Sequence, residues 1–166
     1  MQLDHFILIA MWILGSGGFF LLIPHQIRRE GLFALFVFQS FIWICDMFSF
    51  YYGLISAPVR EFPKATGLPI TINCFFYPIL FSIYYVHQRK MNNSRFRRIA
   101  FFASVTIVTV IDILIERYTQ LLEYQTMTWY WMLVYIGFLF FVSQVCCNWF
   151  YHQKSYSSKR WITNEN

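Results

Sequence analysis

Residues 110 to 120 read VIDILIERYTQ, a stretch that sets Asp112, Glu116 and Arg117 among aliphatic side chains. Asp112, Glu116, Thr119 and Glu123 follow one another by four, three and four positions, so on a helix they share one face. Ile111, Ile113, Leu114 and Ile115 cover much of the remainder. The result is a polar seam on an apolar helix. A carboxylate in lipid costs at least about 2.5–3.5 kcal/mol at a helix centre, so such a seam turns toward the interior of a bundle.

The rest of the chain agrees. It has 166 residues, of which 58% are hydrophobic and 13% charged, against about 45–50% and about 25% in globular domains. Aromatic side chains make up 22%, suited to lipid-facing surfaces and to the belts at headgroup level. The formal net charge is +5. Those charges form short clusters between apolar runs, with no basic stripe, zinc-ligand spacing or RNA-binding signature, so nucleic acid is not an expected partner.

A bilayer core of about 30 Å needs about 20 helical residues. Five runs reach that length, near 3–23, 31–52, 69–87, 99–121 and 129–151. The third is short and interrupted by Pro78, which neighbouring helices in a bundle tolerate. The expected fold is all-α: one polytopic membrane domain of five transmembrane helices over residues 1–152, then a mobile polar tail over 153–166. Orientation follows from the cations. Arg28 and Arg29 lie between runs one and two, Arg89, Lys90, Arg95, Arg97 and Arg98 between three and four, and Lys154, Lys159 and Arg160 in the tail. Only Arg60, Lys64 and Arg117 lie toward the other side. The positive-inside rule then puts the N-terminus outside and the C-terminus in the cytoplasm. The first run is expected to be an uncleaved span, since its leader MQLDH has no Lys or Arg and no A-x-A-like site follows. Gly15, Ser16, Gly17 and Gly18 within it suit close helix packing, a kink being the competing reading. The outer loop GLISAPVREFPKATGLP, with Pro58, Pro63 and Pro69, reads as a cap without regular structure.

Depth at 1.5 Å per residue places Asp46 roughly 22 Å, Asp112 roughly 20 Å and Glu116 roughly 26 Å above the cytoplasmic ends of their helices, and Asn73 within about 6 Å of the outer edge. The expected intramembrane polar cluster, in the outer third of the bilayer, is Asp46, Asn73, Asp112, Glu116 and Arg117. Tyr51, Tyr52 and Tyr77 are possible supporting donors, and Tyr124 and Trp129 belong to an interfacial belt that also suits a lid. Two carboxyls one turn apart repel if both ionise, unless a cation or donors intervene. Gln39, Ser143, Gln144 and Asn148 add polar groups deeper in the bundle. A hard cation would accept Asp46, Asp112 and Glu116, but a lone D-x-x-x-E spacing does not make a metal motif and the histidines do not cluster, so neither metal nor other cofactor is expected. Cys45 and Cys74 fall at similar depth and read as small hydrophobes, with a disulfide as the alternative. No nucleophile elbow, P-loop or dinucleotide fingerprint occurs, and catalytic residues are not assigned.

DMFSFYYG at the end of span two, the proline-bearing outer loop, NCFFYP, and a Glu in span four followed by Tyr and Trp carry a resemblance. Over roughly residues 31 to 135 the chain resembles a family of small multi-pass membrane proteins of spore-forming Bacillus- and Clostridium-type bacteria, for which no activity is established. Asp46, Asn73, Pro78, Glu116, Tyr124 and Trp129 are the matching positions; Asp112 has no counterpart in the pattern. The resemblance implies a bacterial plasma membrane. The readings that remain open are a non-enzymatic membrane protein acting in packing, sensing or as an accessory subunit, with lipid and other membrane subunits as partners; an ion or proton conductor using Asp46, Asp112 and Glu116; and an enzyme acting on a lipid or headgroup.

Overall fold

Apolar runs in a chain with few helix breakers form helices, and a computed structural model shows five of them, describing residues 2–56, 71–91, 93–119, 123–124 and 128–163. Helix α1 spans Gln2–Leu22, α2 Arg28–Tyr51, α3 Tyr77–Lys90, α4 Ser94–Tyr118 and α5 Trp129–Thr163. A single 3-10 turn, His25–Ile27, joins α1 to α2, and a π-helical turn, Thr71–Phe76, runs into α3. Among the described residues three segments are long and apolar enough to cross a membrane, His25–Ser49, Ser94–Tyr118 and Trp129–Tyr151, and Phe6–Leu22 is a shorter apolar helix. Large apolar side chains such as Leu14, Leu21, Phe36 and Trp149 stand exposed on the outside. So broad an apolar exterior belongs to a bundle of membrane type.

The helix ends have local causes. Asn93 caps α4, its side chain accepting the Arg95 N–H at 2.9 Å, so the helix starts at Ser94, earlier than hydropathy alone suggests. It stops at Tyr118. The seam read from the sequence therefore ends before Glu123, which lies instead in a two-residue strand, Glu123–Tyr124 (β2), antiparallel to Ile55–Ser56 (β1). This pairing gives the start of the outer loop regular structure that its prolines did not announce; residues 57–70 lie outside the described residues. Helix α5 continues to Thr163, so the segment expected as a mobile tail from 153 opens as helix. Nothing from Phe138 to Thr163 is Gly or Pro, the residues that ordinarily stop a helix.

The third helix is the post around which the others stand. It packs on α2, α4 and, through the π turn as well, on α1, while α5 closes the bundle against α2 and α4. Tyr77, Pro78, Ile79, Phe81, Ser82, Tyr84, Tyr85, Val86 and Gln88 are buried, which is burial on every side. Pro78 sits in the first turn of α3, where a missing N–H costs least. The wider π turn before it accommodates the ring and carries Thr71, Ile72 and Asn73 into the interior. Within the small-residue cluster close packing falls on Gly15, where a Cβ would come within 2.9 Å of Phe75 Cε1 and 3.4 Å of Ile79 Cδ1, whereas Gly17 has nothing within 4 Å. At the centre Phe38 of α2, Phe81 of α3 and Phe140 of α5 form one layer, with ring centroids 4.8 Å (Phe38 to Phe81), 5.3 Å (Phe38 to Phe140) and 5.2 Å (Phe81 to Phe140) apart.

Candidate functional site

The Phe layer divides the polar side chains of the interior into two groups. On the side away from the basic loops, Asp46 near the end of α2 is 4% exposed and both its oxygens accept hydrogen bonds. Asn73 Nδ2, from the π turn, donates to Oδ2 at 2.5 Å, and the Tyr135 hydroxyl, from α5, donates to Oδ1 at 2.5 Å. Asp112 of α4 is fully buried, and the Tyr77 hydroxyl from the start of α3 donates to its Oδ1. A cavity of about 20 Å³ is lined by Asp46, Asn73, Tyr77 and Tyr135, with Ile42 and Leu139 among its apolar walls. One water needs roughly 10–15 Å³ measured this way, so the space suits a single water and excludes a headgroup.

On the other side of the Phe layer the partners are neutral. The Tyr84 hydroxyl donates to Gln144 Oε1 at 2.8 Å and the Tyr85 hydroxyl to Asn148 Oδ1 at 3.3 Å, tying α3 to α5. Ser143, fully buried between them and the Phe layer, has an Oγ without a hydrogen-bond partner among the described residues. At the basic end Arg89 pairs with Glu30 at 2.5 Å and lies over the Tyr151 ring, 4.8 Å from its centroid, fastening α3 to α2 and α5.

Of the residues singled out in the sequence, Asp46 and Asn73 are in direct contact, and Asp112 joins the same side of the bundle through Tyr77. Glu116 is half-buried one turn beyond Asp112 and makes neither hydrogen bond nor ion pair among the described residues. Arg117 is exposed and lies apart from the cluster, because its position about 100° around from Glu116 faces it outward. Tyr51 and Tyr52 are exposed, their rings edge to face with each other, and Trp129 is exposed as well. The Tyr124 side chain lies outside the described residues. Gln39 is half-buried. None of the four cysteines forms a disulfide; Cys74 Sγ accepts the Trp43 indole N–H at 2.7 Å. No group of three His, Cys, Asp or Glu is gathered among the described residues.

The sequence reading missed Tyr135. Its one signal was position: a tyrosine six residues into an apolar span lies inside the interfacial belt that explains Trp129, Tyr130 and Trp131. Comparison of the chain with protein-family models, curated proteins and solved structures finds no match.

Proposed function

We propose that the chain is an integral membrane protein of five spanning helices, N-terminus outside and C-terminus cytoplasmic, whose buried carboxyls lock the helices in register. In this reading it is non-enzymatic and acts as a packed accessory or sensing component of a bacterial plasma membrane, a setting suggested by the likeness of Asp46, Asn73, Pro78 and Glu116 to the spore-former pattern. The observation that carries it is the partner set of Asp46: both oxygens are taken, by donors from two other elements, beside a space for one water. Polar groups that cross between helices in lipid act as packing specificity, each worth about 0.6 kcal/mol on average.

The proton-conductor reading draws on the cavity between Asp46 and Tyr77, where one water would adjoin the partners of both carboxyls. Against it stands the Phe38, Phe81 and Phe140 layer, which interrupts a polar route toward Gln144. Chemistry on a headgroup finds little support. The groove of about 380 Å³ between α1 and the outer half of α4 is lined almost wholly by apolar groups, among them Phe6, Met11, Leu114 and Ile115.

Unfolding in mild detergent of wild type, Asp46→Asn and Asp112→Asn, alongside proton flux in liposomes, tests the proposal. Loss of stability in both variants with no flux in wild type is the expected result. Unchanged or raised stability together with a flux abolished by Asp46→Asn would replace the structural role with a conducting one.

A further inference from the structure

A cavity of about 400 Å³ opens at the basic end between the end of α3, the first two turns of α4 and α5. Gln88, Ser94, Arg97, Arg98, Phe102 and Phe141 line it. Gln88 is 4% exposed, and its side-chain amide makes no hydrogen bond within the described residues. That amide borders the cavity and is open to a polar group that enters it. Arg97 and Arg98 have no acidic partner among the described residues. Neighbouring cations are differently committed: Arg28 donates to the carbonyls of Phe20 and Ile23, and Arg89 is held by Glu30. The N-terminal end of the 25-residue α4 faces the same region and adds its positive dipole end. Toward the outside, the Phe102 and Phe141 rings are 67% and 59% exposed, an apolar flank continuous with the surface of the bundle.

We infer that this cavity binds the phosphate headgroup of an anionic phospholipid, with Arg97 and Arg98 on the phosphate, the Gln88 amide donating to a headgroup or ester oxygen, and an acyl chain lying along Phe102 and Phe141. Basic pockets between helices at a membrane surface are suited to acidic headgroups. Two guanidiniums disfavour a zwitterionic lipid, whose ammonium group would share the pocket with them. The apolar flank favours a lipid over a free anion. The inference rests on the bilayer placement proposed above and goes beyond the structural role of the carboxyls.

The test uses the full chain in a nonionic detergent, with thermal unfolding followed as phosphatidylglycerol or phosphatidylcholine of the same acyl chains is added, and separately with inorganic phosphate. Phosphatidylglycerol is expected to raise the midpoint in a saturable way and phosphatidylcholine is not. Arg97→Gln/Arg98→Gln should weaken that response by about tenfold or more, as expected for two lost charge-assisted contacts, whereas Arg29→Gln, an exposed cation outside the cavity, should leave it intact. Should the double variant fail to fold, Gln88→Leu and native mass spectrometry of wild type in mixed micelles carry the test, with retention of the anionic lipid expected for wild type and reduced for the variant. Equal stabilisation by both lipids, a phosphatidylglycerol response untouched by the cavity variants, or its full reproduction by inorganic phosphate would overturn the inference. Failure of the bilayer placement itself has a different signature, release of the chain from membranes by alkaline carbonate without detergent.

Discussion

The two polar layers that flank Phe81 answer the same problem, polar atoms away from bulk water, with opposite chemistry. Away from the basic loops the layer contains two acids, is closed around a cavity of about 20 Å³ and draws donors from the π turn, α3 and α5. Toward the basic loops it consists of neutral phenol and amide pairs beside an opening of about 400 Å³. Acids in a low-dielectric interior need their oxygens occupied, so that layer has to be closed and well partnered. Neutral pairs lose far less when one member turns toward water, so the other layer tolerates an open flank. The difference points to a rigid half and an accessible half of one bundle.

The divider between the two layers is the most sensitive point of the bundle. Phe81→Ala is expected to cost about 3–5 kcal/mol in chemical unfolding in detergent, as large-to-small changes in packed cores do, and to join the two layers. If the variant is as stable as wild type, the Phe layer is not a packed barrier. Asp46→Ala comes next. It strands the Asn73 amide and the Tyr135 hydroxyl together, at about 1–3 kcal/mol for each buried group; a loss under half of that would show that water already satisfies them.

Tyr135→Phe removes one donor and should cost about 0.6–1.7 kcal/mol, the range for single interhelical hydrogen bonds in a membrane. Tyr84→Phe, in the open layer, should cost no more than about 0.6 kcal/mol, because Gln144 borders the larger cavity and has water as an alternative. An effect of Tyr84→Phe exceeding that of Tyr135→Phe would reverse the assignment of rigid and accessible halves. Smallest of all is Glu116→Gln, expected within about 0.5 kcal/mol of wild type in the same unfolding assay, since Glu116 has no partner among the described residues. A larger change would reinstate it beside Asp112.

The linear pattern already held the helices long and apolar enough to cross a membrane. The apolar runs that became α2, α4 and α5 are legible because contact with lipid demands apolar residues along most of a helix, a property of the local sequence. The cost of intramembrane charge likewise marked Asp46 and Asp112. What tertiary structure alone decided is which of the remaining polar residues meet them. Helix α3 read as a short span interrupted by Pro78; its Tyr, Ser and Gln side chains are tolerated because neighbouring helices, and not lipid, surround it. Tyr135 reaches Asp46 across 89 positions of chain, while Arg117, five residues from Asp112, faces outward. Spacing on one helix fixes which residues share a face, but the rotation of that helix is set by packing against the others, so the partners of a buried carboxyl are a property of the assembled bundle.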